Sequence, residues 1–307
     1  MATLSDIRPG AQVRPAPRRS RASLSRTRRR LGALYASPMV VLVAVLFVVP
    51  LVLMVWMSFN RWPLLGASYP NGVENYSALS DPLFLRAIGF TLKYTAVTTV
   101  VVGLVAFGLA LLVQESRPGV GLYRTAIFLP SAVGLASASL LFYGLFNTEA
   151  SPLNDVVRWL GLGPVDWLGT TDNALYSTVG MITWRFAGFY MLILMTGLQS
   201  IDPVLYEAAR ADGATRWQTM WRVTLPLLRP TLALMMVLSV TGSLLAFDQF
   251  FILTGGRHET ATVVISVYRE AFLSQDLGAA AAVSVAILAV LLVVNGAQLA
   301  LLRRGGR

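Results

Sequence analysis

The sequence predicts an all-α integral membrane protein with six transmembrane helices. Of its 307 residues, 55% are hydrophobic and only 13% are charged, whereas a soluble globular domain carries roughly 25% charged residues. The mean hydropathy is +0.63. Six apolar runs are each long enough to cross a hydrocarbon core of about 30 Å at about 1.5 Å per helical residue.

The first 36 residues are basic and are expected to form a disordered cytoplasmic tail. They hold nine arginines among Pro and Ser residues, without hydrophobic periodicity. Nucleic-acid-binding proteins can also be basic, but a position just before a membrane helix favours anionic lipid, so we predict no nucleic-acid partner. Residues 37–87 should hold the first span, at about 38–60, and an outer loop. This apolar run is too long for a cleaved signal peptide.

Residues 88–302 are predicted to form the transmembrane core. Its spans are expected at about 88–113, 125–146, 175–198, 227–252 and 279–302, with a polar loop at 199–226 and a cytoplasmic tail at 303–307. With the N-terminus inside, 18 of the 25 Lys and Arg residues lie in inner segments and five in outer segments. This positive-inside bias predicts that both termini are cytoplasmic.

The loop between spans four and five is predicted to fold into two short helices. Asp202 can cap the first helix, over residues 203–212, because its side chain can accept a free backbone N–H. Gly213 can adopt the left-handed conformation that ends this helix. Thr215 and Gln218 have the spacing of a capping box and therefore begin a second helix.

Pro226 is expected to end that second helix, with span five following. The loop combines slim, charged and apolar positions at helical spacing: Ala208, Ala209 and Ala211; Glu207, Arg210, Asp212 and Arg216; Trp217, Met220 and Trp221. Such a surface suits a protein partner in the cytoplasm. The alternative is an amphipathic elbow that rests on lipid headgroups.

The same loop resembles the segment by which ABC importer permeases contact their ATPase subunits. It starts with Glu207-Ala208-Ala209 and ends with Leu225-Pro226. Further similarity to permeases of the maltose and glycerol-phosphate type extends over about residues 35–302, including Trp-Arg at 184–185 and Leu-Thr-Gly-Gly at 253–256. Where that family often continues with a proline, this chain reads Arg-His-Glu at 257–259. This departure puts the local loop shape in question.

The resemblance implies a type I ABC importer permease fold with a cytoplasmic coupling-helix loop. The coupling residues that it implies are Glu207, Ala208, Ala209, Asp212, Gly213, Leu225 and Pro226. It also implies a bacterial inner-membrane location, a sugar or related polyol as cargo, and a heteromeric assembly. The expected partners are two ABC ATPase subunits, a second permease of different but homologous sequence and an extracytoplasmic solute-binding protein.

The chain is not expected to bind a cofactor or to act as an enzyme. A Walker-type phosphate loop needs Gly, Lys and then Ser or Thr, and the single lysine, Lys93, follows Leu92 inside a span. ATP and Mg are therefore expected on the partner ATPase subunits. With no cysteine and one histidine, His258, the chain offers no zinc site built from those residue types.

Charged residues within the spans suggest a substrate pathway, because such residues usually face a cavity or a partner. Arg185 lies near the middle of span four and Asp248 near the outer end of span five. With aromatic and polar neighbours they make up the candidate set: Trp184, Arg185, Phe189, Tyr190, Phe247, Asp248 and Gln249. The alternative is helix packing, with an Arg185–Asp248 ion pair that closes the bundle.

Two other functional classes compete with this interpretation. An ion-coupled secondary transporter of a small polar solute would need acidic or histidine residues deep in several spans, and the sequence offers Arg185 and little else. A membrane-embedded enzyme would need a convergent nucleophile, base or metal set, and no such set is visible in the sequence.

Overall fold

The computed structural model describes residues 34–115, 118–147 and 151–304. In chain order its helices are α1 (Leu34–Met57), α2 (Pro82–Val113), α3 (Val120–Phe128), α4 (Leu135–Leu145), α5 (Pro152–Trp159), α6 (Thr171–Gln199), α7 (Pro203–Ala211), α8 (Arg216–Leu244), α9 (Asp248–Leu253), α10 (Val263–Tyr268) and α11 (Leu277–Arg304). Residues 1–33 of the expected basic tail lie outside the described residues. The three residues at the other terminus, 305–307, also lie outside them.

Short elements connect some of these helices. Strands β1 (Asn60–Arg61) and β2 (Tyr69–Pro70) pair antiparallel, and a 3-10 helix follows at Glu74–Ser80. Another 3-10 turn, Leu129–Ala132, separates α3 from α4. The described part of the chain contains three π-helical turns, at Ala44–Val48 within α1, at Met220–Thr224 within α8 and at Arg269–Leu273 after α10.

The chain divides into two units, Met1–Leu53 and Met54–Arg307. In the first unit the described residues belong to α1. The second unit contains all the other elements. Its centre is built from α2, α6 and α8, which pack against one another along much of their length.

Membrane-length helices confirm the predicted all-α class. In the described part of the chain, five helices are long and apolar enough to cross a membrane: α1, α2, α6, α8 and α11. Helices α3 and α4 meet at 92° and supply a sixth span if the bent pair is counted as one. The span expected at about 125–146 therefore corresponds to two helices, α3 and α4, with a break between them.

The bend between α3 and α4 has a clear cause in the sequence. Pro130 starts the 3-10 turn, and Val133 and Gly134 are extended, with ψ of 131° and 144°. A break at membrane depth is tolerated only where the freed backbone groups find partners within the protein. Arg185 on α6 supplies one, since its Nε donates to the carbonyl of Val133 at 2.9 Å.

Helix α8 also differs from expectation, because Pro226 does not end a helix. The helix runs without a break from Arg216 through Pro226 and Pro230 to Leu244. Directly before Pro226, the π-turn Met220–Thr224 bonds the N–H of Leu225 to the carbonyl of Met220. In a π-turn each N–H bonds five residues back, which widens the helix at the position where proline lacks its own donor.

The predicted fifth span, 227–252, ends earlier than expected and is followed by a separate short helix. Helix α8 stops at Leu244, residues 245–247 are irregular, and α9 begins at Asp248. The hydroxyl of Thr262 donates to the carbonyl of Ala246 at 2.6 Å and so satisfies a backbone group in the break. Hydropathy alone could not show this break, because apolar residues continue across it.

Small residues allow the central helices to approach closely. A Cβ on Gly197 of α6 would collide with Thr231 and Leu228 of α8, and one on Gly188 would collide with the backbone of Ile127. Van der Waals packing drives association of helices in lipid, so these close approaches stabilise the bundle.

A second core joins α2 and α6 to the short helices. Phe250 of α9 is fully buried, and its ring meets those of Phe90 and Tyr94 edge-on at 5.0 and 4.8 Å. Leu175 and Ile265 complete the same cluster from α6 and α10. This packing holds α9 inside the bundle.

Candidate coupling elbow and transport pathway

Residues 202–224 form the two-helix elbow that the sequence predicts. The carboxylate of Asp202 accepts the N–H of Val204 at 2.9 Å and caps α7. The helix ends at Gly213, whose φ is +75°. The N–H of Gly213 bonds to the carbonyl of Arg210 at 3.1 Å, and that of Ala214 to the carbonyl of Ala209 at 2.9 Å. These two bonds form a Schellman motif, which requires a left-handed residue.

The second helix of the elbow begins with the predicted capping box. The hydroxyl of Thr215 accepts the N–H of Gln218 at 3.3 Å, and the Gln218 side chain accepts the N–H of Thr215 at 2.8 Å. Because this helix is the start of α8, the elbow and span five form one continuous element. The sequence analysis missed this continuity.

The exposed surface of the elbow combines charged side chains with two aromatic rings. Trp217 and Trp221 are 70% and 54% exposed, and their rings meet at 5.4 Å. Four of the expected coupling residues are exposed: Glu207, Ala208, Asp212 and Gly213. Ala209, Leu225 and Pro226 are partly buried, the last two at the point where the elbow passes into the membrane part of α8.

A cavity of about 630 Å³ lies behind the elbow. Its walls come from the last turns of α2 and α6, from α7 and from the start of α8: among them are Gln114, Gln199, Tyr206, Arg210, Arg216 and Thr224. The hydroxyls of Thr224 and Tyr206, 3.4 Å apart, join α8 to α7 beside it. Within the elbow, a hydrogen bond therefore connects α7 to α8, while the side of the elbow that faces α2 borders open space.

Arg124 fixes the neighbouring end of α2. Its guanidinium donates to the carbonyl of Val113 at 2.9 and 2.6 Å, and to those of Gln114 and Glu115 at 3.3 Å. A cation that bonds the last free carbonyls of a helix stabilises that end. From sequence alone, Arg124 is one of the positive charges of the predicted inner segments and carries no sign of this capping role.

The α6 members of the pathway set lie beside the bend in span three. The hydroxyl of Ser131 donates to the backbone carbonyl of Arg185 at 2.8 Å, and the guanidinium carbon of Arg185 lies 4.2 Å from the ring centroid of Phe186. Trp184 is partly exposed and its ring lies 5.2 Å from that of Phe142. Phe189 is partly exposed and covers the buried Tyr190 at 5.4 Å.

The other members surround the break after α8. Asp248 is half-buried, and it forms no ion pair with Arg185 or with any other residue that the structure describes. Gln249 is buried and donates to the hydroxyl of Tyr94 at 3.2 Å. Its Oε1 has no partner among the described residues. The structure therefore does not show the alternative, in which an Arg185–Asp248 ion pair closes the bundle.

Sequence patterns did not single out three aromatic residues near Asp248, which are Phe251, Tyr268 and Phe272. Phe247 stacks on Phe251 at 4.9 Å, Phe251 meets Tyr268 at 5.0 Å, and Tyr268 meets Phe272 at 5.0 Å. The i, i+4 spacing within each pair, Phe247 with Phe251 and Tyr268 with Phe272, was a readable signal. The two pairs meet because the chain reverses direction between α9 and α10, and local sequence does not reveal that reversal.

The loop between α9 and α10 has a defined shape without the proline that the resemblance led us to expect. His258 and Glu259 adopt left-handed backbone conformations, with φ of 51° and 57°. Glu259 pairs with Arg86 at 2.7 Å, and the hydroxyl of Thr171 donates to the carbonyl of His258 at 2.6 Å. Lys93 forms a second surface pair nearby, with Asp172 at 2.6 Å.

The described residues hold no group of three or more His, Cys, Asp or Glu side chains arranged to bind a metal ion. The pathway set offers aromatic faces, one cation held by the carbonyl of Val133, and one carboxylate, Asp248, without an ion-pair partner among the described residues. Aromatic faces with a few polar groups are typical of sites that bind a small polar molecule.

Comparison with known proteins places this geometry in a family. Residues 100–305 match the family described as binding-protein-dependent transport system inner membrane component. The arabinooligosaccharides transport system permease protein AraP of Bacillus subtilis (strain 168) is 29% identical over 267 residues, 85% of each chain. The sn-glycerol-3-phosphate transport system permease protein UgpA of Agrobacterium fabrum is 32% identical over 279 residues, 87% of this chain and 93% of that protein.

A solved structure agrees with these sequence matches. A chain of a bacterial ABC transporter involved in the import of the acidic polysaccharide alginate superposes with a TM-score of 0.79 and 25% identity, covering 92% of this chain and 99% of that one. The chain belongs to the binding-protein-dependent transport system inner membrane components, the permease subunits of ABC importers.

Proposed function

We propose that this chain is the translocation subunit of an ATP-driven carbohydrate importer, and that its elbow couples ATP hydrolysis on a partner to movement of the bundle. The observation that carries the proposal is the continuity of the second elbow helix with span five in α8. The names of the relatives support a sugar or a related polyol as cargo, since they include an arabinooligosaccharide permease and a glycerol-phosphate permease.

The coupling mechanism follows from the shape of α8. Its 29 residues span roughly 43 Å, and its first turns present Trp217 and Trp221 to the cytoplasm. A partner that pushes the elbow therefore moves the whole of span five as one lever. The cavity behind the elbow leaves room for that displacement, and Gly213 holds α7 at a fixed angle to it. Rigid-body movement between two states is a common basis of such switches.

The assembly that this proposal needs contains several other chains. Two ABC ATPase subunits bind ATP and Mg and contact the elbow through the residues around Glu207 and Gly213. A second permease, different but homologous, completes the pathway, and an extracytoplasmic solute-binding protein delivers the cargo. The complex lies in the bacterial inner membrane, with both termini of this chain in the cytoplasm. The alginate transporter determined with its periplasmic protein supports the binding-protein partner.

The cargo pathway uses the seven candidates named above. Arg185 is held at the bend of span three by the carbonyl of Val133, which leaves its other guanidinium nitrogens to donate to hydroxyl groups. Asp248 supplies an acceptor, and Trp184, Phe189 and Phe247 supply aromatic faces. Tyr190 and Gln249, both buried, support these groups from behind.

Purification of the assembled complex tests the proposal. A tag on this chain should recover an ATPase, and proteoliposomes made from the complex should accumulate cargo delivered by the binding protein only with ATP on the ATPase side. Uptake should persist when ionophores dissipate the ion gradients. Loss of uptake with ionophores, or recovery of the chain without an ATPase, would overturn it.

A further inference from the structure

The cavity behind the elbow has the size and the lining of a small-molecule site. Its volume is about 630 Å³, and ligand pockets usually measure about 300–1,000 Å³. Apolar side chains from three helices line it, at Leu111 of α2, Leu198 of α6 and Met220 of α8. The amide side chains of Gln114 and Gln199 line it too. Apolar walls with a few polar groups are typical of pockets that bind small molecules.

Two arginines in the lining have no partner in the described part of the chain. Arg210 of α7 and Arg216 of α8 line the cavity from the two sides of the turn at Gly213. Neither guanidinium forms an ion pair or a side-chain hydrogen bond with a described residue. Two cations beside one cavity repel each other, so an anion bound between them would be stabilised.

A nearby carboxylate leaves Arg210 available. Glu207 lies three residues earlier on α7, and this spacing allows an acidic and a basic side chain to pair on a helix. On α5 the same spacing does give a pair, with Arg158 3.1 Å from Asp155. Arg210 forms no such pair and lines the cavity instead. Among the described lining residues Glu115 is the only carboxylate, so positive charge is in excess there.

These groups match a phosphate ester. Guanidinium groups bind phosphate oxygens through paired N–H donors, and the amides of Gln114 and Gln199 can donate further hydrogen bonds. The cavity lies where α2 and α6 end, at Val113 and Gln199, on the predicted cytoplasmic side. A phosphate ester can reach it there from two sources. One is a phosphorylated metabolite in the cytoplasm, and the other is the headgroup of an anionic phospholipid in the inner leaflet.

The cavity is separate from the tryptophans of the elbow. Arg216, Thr219 and Met220 line it, and their i, i+3, i+4 spacing puts them on one face of α8. Trp217 and Trp221 are exposed and are not among the lining residues. A molecule in the cavity would therefore leave the tryptophans accessible to a protein partner.

We propose that this cavity is an inhibitory site for a phosphate ester. Arg210 and Arg216 bind the phosphate, and the apolar lining contacts the rest of the molecule. The occupant then connects the elbow to the ends of α2 and α6, and it fills the space into which the elbow moves. Because it binds best when the elbow is in the position described above, it shifts the equilibrium towards that position. The inference rests on the proposed coupling function and adds a regulatory site to it.

Protection of a single cysteine tests for binding. The chain has no cysteine, so Ala214→Cys, which lies in the lining, can be modified alone with N-ethylmaleimide in the full chain in phosphatidylcholine nanodiscs. We expect inorganic phosphate and glucose 6-phosphate, each at millimolar concentration, to slow the modification several-fold, and glucose to have no effect. Ala211→Cys is the matched control, since Ala211 is exposed on α7 outside the lining, and it should react at one rate throughout.

Arginine variants test which groups hold the phosphate. Arg210→Gln and Arg216→Gln should each weaken the protecting compound's affinity roughly tenfold, because each removes a charged hydrogen-bond donor. Arg222→Gln is the matched control, since Arg222 is exposed on α8 outside the lining, and it should leave protection unchanged.

Nanodiscs that contain phosphatidylglycerol distinguish the two sources. Slow modification of Ala214→Cys in these nanodiscs without added phosphate, reversed by Arg216→Gln, identifies the lipid headgroup as the ligand. Protection by glucose 6-phosphate in phosphatidylcholine identifies a soluble phosphate ester. Absence of protection by phosphate, glucose 6-phosphate and phosphatidylglycerol alike, or equal protection in the Arg210 and Arg216 variants, would overturn the inference.

Uptake by the assembled complex tests the inhibition and separates the two proposals. The protecting compound, enclosed with ATP on the ATPase side or present in the bilayer, should lower uptake several-fold. The effect should be smaller in Arg216→Gln, relative to the uptake of that variant without the compound. ATP-driven uptake that the protecting compound does not lower rejects the inhibitory role alone. Arginine-dependent protection in a chain whose complex imports without ATP rejects the coupling mechanism and leaves the binding site standing.

Discussion

Gly213 illustrates how a single backbone conformation can set the geometry of a functional surface. Its φ of +75° lets α7 end in a Schellman motif and turn directly into the capping box of α8. No atom lies within 4 Å of the position that a Cβ would occupy. The requirement for glycine here is therefore conformational rather than steric, and alanine would have to adopt a left-handed conformation that costs about 1–2 kcal/mol.

We expect Gly213→Ala to reduce nucleotide-driven uptake several-fold, because a strained turn populates the correct elbow angle less often. Gly72→Ala is the matched control: Gly72 has a φ of +64° and open space around it, but lies outside the elbow. Thermal unfolding should show similar small losses for both variants. Equal uptake in the two variants would argue against a special role for the elbow.

Arg185 and Asp248 carry the polar part of the proposed pathway. Asp248→Asn keeps the size of its side chain and Arg185→Gln shortens it, and both remove the charge. We expect each to lower uptake at least several-fold while the complex still assembles. Asp155→Asn, in an exposed ion pair with Arg158 on α5, should have little effect. Normal transport in both pathway variants would exclude them from the route of the cargo.

At the residue scale, the sequence signals that predicted the structure correctly were local ones. Asp202, Gly213 and the Thr215–Gln218 capping box were predictable because each acts within a few residues along the chain. Pro226 was misjudged because its effect depends on the π-turn before it. A proline lacks a donor in any helix, but the sequence does not reveal that the preceding turn is wide enough to accommodate it.

Among the elements, α8 and the α3–α4 pair show what hydropathy leaves undetermined. Their spanning parts are mostly apolar, so sequence located them in the membrane. The local π-turn lets α8 continue past Pro226, and the 92° bend lies at Pro130, but the backbone groups freed at each break are satisfied by distant residues. Thr262 satisfies the break after α8 and Arg185 satisfies the break after α3. The positions of the spans were therefore predictable, while their internal breaks were not.

Close packing of α6 on α8 predicts that two glycine-to-alanine substitutions on α6 shift the midpoint of thermal unfolding in opposite directions. Gly197→Ala should lower the midpoint of thermal unfolding, because the new methyl group collides with Thr231 and Leu228, and overpacking costs about 1–3 kcal/mol. Gly180→Ala on the same helix meets open space and should raise the midpoint, since glycine costs about 0.5–1 kcal/mol within a helix. Melting curves of the purified chain in detergent would decide, and shifts of the same sign would contradict this description of the interface.

At the scale of the whole molecule, α8 connects the elbow to the break after span five. The helix begins at the elbow and ends at the break that carries Phe247 and Asp248. Under the proposed function, a displacement of the elbow would be transmitted to the candidate pathway residues Phe247 and Asp248. No single motif predicts this link, because it depends on the uninterrupted course of α8 past two prolines.

The exposed tryptophans of the elbow should contribute most to the binding of the ATPase. Large aromatic side chains at the centre of an interface often cost about 2 kcal/mol or more when truncated. Trp217→Ala and Trp221→Ala should therefore reduce the ATPase recovered with this chain roughly thirty-fold in affinity. Trp159→Ala, 84% exposed in α5 on the predicted outer side, should recover it fully. Full recovery with all three variants would remove the tryptophans from the interface.

Distance measurement along α8 tests the central claim most directly. The chain contains no cysteine, so spin labels can be placed at chosen pairs. The Arg216→Cys and Leu238→Cys pair, roughly 33 Å apart by helical rise, should keep its separation with and without ATP. The Arg216→Cys and Leu112→Cys pair should change its separation when ATP binds. A changed distance within α8, or an unchanged distance from the elbow to α2, would contradict the lever.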